Sequence, residues 1–235
     1  MALANQVLAR LSDSDLALLQ PHLEPVELGF RQVIEKPGKA IPCVIFPDAG
    51  IVSVVANGHK GSEVEVGLIG YDSMTAQSVV MGTDRSPHST YVQVAGHGRR
   101  MKINAFRDAI AKSATLHRSL LAVVQSFVVH AASTALANGR STVEARLARW
   151  LLMAHDRVDG DAIPLTHEFL AVMLGVRRAG VTTALNDLKA RGSITAKRGL
   201  IVVQNRKALE AIARGIYGVA EAEQERLTGW KSLKR

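Results

Sequence analysis

Along this chain the spacing of apolar residues changes character twice. Over residues 5–20, Val7, Leu8, Leu11, Leu16 and Leu19 recur at helical intervals and predict a short amphipathic helix. From residue 22 to about residue 103 the runs become short and β-rich: Val26–Leu28, Gln32–Glu35, Val44–Phe46, Ile51–Val55, Glu63–Ile69, Tyr91–Val94 and Arg99–Ile103. Turn signals stand between them at Pro37-Gly38, Asp48 to Gly50, Asn57-Gly58, Gly82, Pro87 and Gly96 to Gly98. Short strands at this spacing predict a small sandwich or barrel. Asn57-Gly58 predicts a tight hairpin, because both central residues of a type I′ turn need positive φ.

From about Asn104 the period is helical. A short helix over Ala105–Ala111 leads to a long one over residues 113–137. In the long helix Leu116, Leu120, Val123, Phe127, His130, Thr134 and Ala137 follow a regular four-three spacing, the seam of a coiled coil. Leu121, Val124, Val128, Ala131 and Ala135 form a second apolar stripe. A helix with two apolar faces needs two partners. The seam from Leu116 to Thr134 is assigned to the same helix of a second subunit, with His130 as its polar member, and the other stripe to the β domain. Asn138-Gly139 is expected to end the helix, and Ser141-Thr142 to cap the next, which runs to about Arg157.

Residues 166–203 carry the functional signal. Thr166 can cap a helix that ends at Gly175, with Glu168 near its positive end. A second helix follows over Arg177–Ala190, with Val181, Leu185 and Leu188 inward. A small residue at Ala171, a glycine at the turn and an aliphatic anchor at Val181 give the spacing of a helix-turn-helix. Ile194–Ala196 and Leu200–Val203 flank the basic tip Lys197-Arg198-Gly199, which adds a wing. The N-terminal end of a recognition helix meets base edges, so Arg177, Arg178, Thr182 and Thr183 are the candidate base readers. Thr166, Lys189, Arg191, Lys197 and Arg198 are the candidate phosphate contacts.

Composition sharpens this reading. A 47% hydrophobic share supports a packed core, and a 4% aromatic share leaves the packing to aliphatic side chains. A single cysteine, Cys43, excludes an internal disulfide framework and a multi-cysteine metal site. The net charge of +8 is uneven: residues 1–112 hold 11 Lys+Arg against 11 Asp+Glu, so the whole excess lies C-terminal to them. A neutral half joined to a basic half suggests a sensing part joined to a polyanion-binding part. No secretory signal opens the chain and the long helix is interrupted by polar residues, so a cytoplasmic protein with no membrane span is expected. Enzyme motifs fail: His167-Glu168 lacks the second histidine of a zinc-protease helix, which is Ala171, and there is no nucleophile elbow or phosphate-binding glycine loop.

The order of parts resembles the catabolite-activator/Fnr (Crp/Fnr) family of bacterial transcription regulators, over about residues 8–213. The likeness is strongest in residues 175–185, where Gly175, Arg177, Arg178 and Val181 fit the family's Gly-x-(Ser/Arg)-Arg-x-x-Val pattern. The resemblance implies an α+β chain: a cyclic-nucleotide-binding-like β-roll (jelly roll) over residues 1–112, a dimerisation helix over 113–137, a winged helix-turn-helix over 138–220 and a tail over 221–235. It implies a homodimer on near-palindromic double-stranded DNA, with RNA polymerase as a partner if the protein activates. It makes Arg178 a base reader, while Ala179 and Thr183 replace two other familiar readers, which points to a different operator. The effector pocket would be built from Gly70, Asp72, Arg85, His88, Ser89 and Thr90. Here the family's Gly-Glu and Arg-(Ser/Thr)-Ala runs are both altered. Histidine is not a fixed cation at pH 7, so cyclic AMP is disfavoured and a different small-molecule or nucleotide effector is expected. No cofactor or metal is implied. The rival reading is a cyclic-nucleotide-binding or interaction module without specific DNA binding.

Overall fold

Where one N-terminal helix is expected, there are two: α1 (Gln6–Ala9) and α2 (Asp13–Leu19). Ser12 divides them, because its hydroxyl caps the second by accepting from the Asp15 N–H, and Asn5 caps the first in the same way. All the predicted strand runs form strands: β1 (Glu24–Leu28), β2 (Val33–Glu35), β3 (Cys43–Pro47), β4 (Ile51–Asn57) and β5 (Glu63–Ile69), then a short helix α3 (Gln77–Val80), then β6 (Ser89–Val94) and β7 (Gly96–Lys102). They make two antiparallel sheets, ordered β1-β7-β3 and β2-β6-β4-β5. The computed structural model describes residues 4–59 and 62–231. The β4–β5 hairpin forms, but Gly58 has an ordinary φ and the connection runs on to Ser62, so the loop is longer than a type I′ turn.

Alternation of buried side chains places three cores. Leu28, Ile45, Val52, Val54, Ile69 and Val92 fill the space between the sheets, with Cys43 half-buried at its margin. Val44, Phe46 and Met101 pack outward on α1, α2 and the helices α4 (Ile103–Lys112) and α5 (Ala114–Arg140). The third core lies on the other sheet. There Ile51, Val55, Leu68 and Val94 meet the C-terminal half, formed by α6 (Val143–His155), β8 (Ala162–Ile163), α7 (His167–Leu174), α8 (Arg178–Ala190), β9 (Ile194–Lys197), β10 (Leu200–Val203), α9 (Arg206–Ile212) and α10 (Val219–Thr228).

Helix α5 continues through Asn138 and Gly139 to Arg140. Both residues lie in its exposed last turns, where a glycine costs only about 1 kcal/mol relative to alanine. By length and composition α5 could cross a membrane, with a mean hydropathy of 1.7 in its most apolar window. It is instead laid along the β domain, and the stripe assigned to a second subunit is buried within the chain. Leu116, Leu120 and Val123 are buried inside the chain, Phe127 packs against the inter-sheet core, His130 is buried against α10, and Thr134 is half-buried beside Arg149. The seam read from sequence is therefore an intramolecular face. The surface instead carries Leu121, Gln125, Val128, Ala132 and Ala135, which repeat the same four-three spacing.

The two halves meet on buried polar groups. Arg157 and Asp72 form a doubly hydrogen-bonded ion pair at 3.1 and 2.6 Å, with both side chains 3% exposed or less. Gln224 of α10 donates to the same carboxylate at 2.8 Å, and Trp230 is buried with its ring 5.8 Å from the Arg157 guanidinium. The segment expected to be a tail, 221–235, thus includes the body of a helix braced against α5; its last four residues lie outside the described ones. Nearby, Glu65 accepts from the Trp150 indole N–H at 2.6 Å, and its other oxygen lies 2.6 Å from the Ser53 hydroxyl. Burial pushes the Glu65 carboxyl up to about 8.

Two outcomes follow from this junction. Asp72→Ala leaves Arg157 buried without its partner and should cost about 3–5 kcal/mol in urea unfolding, whereas a loss under 1 kcal/mol would show the pair to be idle. Glu65 holds its proton more tightly folded than unfolded. Stability should therefore fall as pH rises from about 4.5 to about 8 and level off above, and Glu65→Gln should flatten that slope.

Candidate nucleic-acid interface

Thr166 caps α7, its hydroxyl accepting from the Phe169 N–H at 3.3 Å. The helix ends at Gly175, whose φ of 58° lies in the left-handed region that a side chain disfavours. Val181 and Leu188 of α8 are fully buried, and Ala184 and Leu185 nearly so, against Leu170, Met173 and Leu174 of α7. That packing turns the opposite flank of α8 outward. Arg178, Ala179, Thr182, Thr183, Asn186 and Lys189 are all exposed. The wing is pinned beside it: β9 and β10 pair in register, and the Leu165 N–H donates to Gly199 O at 3.0 Å, tying the wing tip to the start of α7.

Between α8 and the wing lies an open groove of about 940 Å³. Thr166, Arg178, Lys189, Lys197 and Arg198 all line it, so five of the residues predicted from sequence converge on one surface. Thr182 is reached from the groove through His167, whose Nδ1 is 3.4 Å from the Thr182 hydroxyl. The Thr182 and Thr183 hydroxyls donate to the carbonyls of Arg178 and Ala179, which leaves their oxygens as acceptors and their methyl groups free.

Other predicted residues are placed elsewhere. Arg177 is the N-cap of α8 and lines a separate depression with Val64 and Arg146, facing the β domain. Arg191 pairs with Glu144 of α6 at 2.8 Å, which holds its guanidinium away from the groove. Arg206, at the start of α9, is a structural cation held by Asp156 at 2.9 Å. Three polar groove residues escaped sequence reading as contacts: Asn186, two turns beyond Arg178 on the same flank, and His167 and the acidic Glu168 at the start of α7. The four-residue spacing of Arg178, Thr182 and Asn186 was the available signal for the first.

The expected effector pocket is not assembled as a unit. Asp72 is committed to Arg157 and Gln224, and a Cβ on Gly70 would lie 2.9 Å from the Arg157 side chain, so that strand end serves the domain junction. Arg85 is exposed and holds Asp84 through Nε and Nη2 at 2.8 and 3.2 Å. Ser89 pairs with Asn57 at 3.1 Å on the exposed rim of the sheet. His88 and Thr90 line a space of about 300 Å³ between the β2-β6-β4-β5 sheet and α5, whereas Asp72 lines a different one beside α1 and Trp230.

Comparison with known proteins bears on the whole arrangement. The model of the Crp-like helix-turn-helix domain matches residues 145–212, which span α6 through α9. Residues 145–212 thus carry a Crp-like helix-turn-helix domain. No curated protein matches it. Among solved structures, a protein of Eubacterium rectale assigned to the Crp/Fnr family of transcriptional regulators superposes with a TM-score of 0.69 at 16% identity, over 87% of this chain and 96% of that one. FixK2 of Bradyrhizobium japonicum gives 0.67 at 18%, over 81% and 96%. The c-di-GMP-responsive regulator CLP of Xanthomonas campestris gives 0.64 at 14%, over 82% and 99%. The shared fold thus extends over the β sheets, long helix and winged helix together, and α10 lies beyond the part matched by the domain model.

Proposed function

We propose that this Crp/Fnr-type chain is a homodimeric, sequence-specific DNA-binding transcriptional regulator whose β domain answers to a small-molecule effector. The observation that carries the reading is the exposed groove between α8 and the wing, edged by Arg178, Lys189, Lys197 and Arg198. Its shape and charge suit one duplex: α8 enters a major groove and the wing follows the backbone. Arg178 at the helix start reads a guanine edge, and Lys189, Lys197 and Arg198 neutralise phosphates. The exposed seam of α5 supports the dimer, because Leu121 and Val128 are 41% and 50% exposed on a helix that has no other cover there. Two copies joined along that seam would present two recognition helices to successive major grooves, on a near-palindromic site.

The tests separate these roles. DNA affinity should fall steeply with salt, and a flat dependence would favour a protein-interaction module instead. Arg178→Ala should cost about 1–3 kcal/mol on the selected site and relax base choice at one position, while Lys197→Ala should weaken all duplexes alike and reduce the salt slope by about 1. If both variants lose affinity equally on random DNA, the division between reading and neutralising is wrong. A Leu121→Glu, Val128→Glu double variant should sediment as a folded monomer and bind the palindrome at least roughly tenfold more weakly. A dimer that survives it places the interface elsewhere.

A further inference from the structure

The cavity between the second sheet and α5 has an unusual occupant at its polar end. Glu35 of β2 lines it and is 7% exposed. One carboxylate oxygen accepts from the Ala76 N–H at 2.7 Å and the other from the Thr90 hydroxyl at 3.2 Å. Ala76 holds a φ of 58°, one of two non-glycine residues in the left-handed region among the described ones, and that backbone turn is what aims its N–H at Glu35. The donors at this end of the cavity are therefore occupied by an acid of the chain's own. No lysine or arginine lines the cavity among the described residues, and Arg85, the cation expected there, is turned outward onto Asp84. Val54 and Ile69 from the sheet, Met81 after α3, and Val124, Phe127 and Ala131 from α5 form its apolar wall, and Gln77, Ser78, Ser86 and His88 line it as well.

From this geometry we infer that the cavity binds an uncharged or cationic small molecule with an apolar body, which donates a hydrogen bond to Glu35, and that it rejects phosphates and carboxylates. An incoming anion would face Glu35 with no lysine or arginine lining the cavity to offset the repulsion, and with the Ala76 and Thr90 donors already taken. Burial raises the Glu35 carboxyl above its ordinary value, which the two donors oppose, so the group also favours a ligand that brings hydrogen or positive charge. A space near 300 Å³ sits at the small end of small-molecule sites, room for a fused aromatic or branched aliphatic body rather than a dinucleotide. This inference gives a chemical class to the effector of the regulator proposed above and rests on that reading only for its purpose.

The probe is 1-aminoanthracene, which pairs an apolar body with an uncharged amine at neutral pH, titrated into the full chain by fluorescence. Saturable binding of one probe per chain is expected, with anthracene-1-carboxylate weaker by roughly tenfold or more and cyclic AMP failing to displace the amine. Glu35→Gln should narrow the gap between amine and carboxylate to about threefold or less. Ala131→Phe should fill the space and abolish saturable binding while the circular dichroism spectrum is unchanged. Equal or tighter binding of the carboxylate or of cyclic AMP by the unaltered chain would overturn the assignment. So would amine binding that is absent, or that persists undiminished in Ala131→Phe. Duplex binding measured on the same preparation keeps the two readings apart. Loss of DNA binding with the amine still bound counts against the regulator and supports the cavity; intact DNA binding without amine binding sinks the cavity alone.

Discussion

An arginine and an aspartate without access to water can persist only by holding each other, and here that requirement fixes how the two halves of the molecule meet. Asp72 follows β5 of the β domain, and Arg157 follows α6 of the half that carries the helix-turn-helix. The desolvation of two charges is offset only by near-ideal geometry with the remaining polar atoms satisfied. The structure supplies both: Arg157 also donates to Met153 O at 2.8 Å, and Gln224 closes the carboxylate from a third direction. Around the pair, the DNA-binding half contributes Trp150 to Glu65 and the Asp156 carbonyl to the Tyr71 hydroxyl. The winged helix is thus seated on a polar lock inside an apolar interface, and its orientation is set by groups that tolerate little displacement.

The seat also reaches the helix-turn-helix itself. The Phe169 ring of α7 lies 5.4 Å from Phe30 and 6.1 Å from Tyr91, with the Arg31 guanidinium over both phenylalanine rings. Arg31 is the other non-glycine residue in the left-handed region, and that turn lets one residue bridge the two halves. The exposed Arg31–Glu168 pair at 3.5 Å adds little, since ion pairs open to solvent are worth at most about 1 kcal/mol. The aromatic contact does the positioning: α7 is held from behind by the β domain while α8 stays open in front.

What the sequence made legible were the local rules. Strand runs with turn residues between them, side-chain caps at Thr142 and Thr166, and the glycine between α7 and α8 all act over a few residues, and each formed as expected. What it hid were choices decided at long range. The four-three spacing fits both stripes of α5 equally well; burial of the Leu116–Thr134 stripe is settled by the β domain and by α10, which joins His130 to Gln224 across 94 residues. Asp72 fits a local pocket motif, but its partners stand 85 and 152 residues away, so no short motif could show that the carboxylate was taken. Asn186 became a groove residue only when the wing folded back beside it.

Helix α5 is where the separate parts become one mechanism. Val124 and Ala131 line the cavity beside Glu35, while Leu121, Val128 and Ala135 stand on the free seam one residue-step around the helix, and His130 in the same turn meets α10. Val128 belongs to both the cavity wall and the seam. A body entering the cavity would therefore press on a helix whose other faces are the exposed seam and the brace through α10. A close-packed helix cannot yield on one face alone, because its side chains interlock with neighbours on all of them. Under the proposed function, coupling between effector and DNA would need no transmitted path through the protein: occupancy, dimer packing and head orientation would be three conditions on the same two turns of α5, and a ligand favouring one setting of those turns would favour the matching setting of the heads.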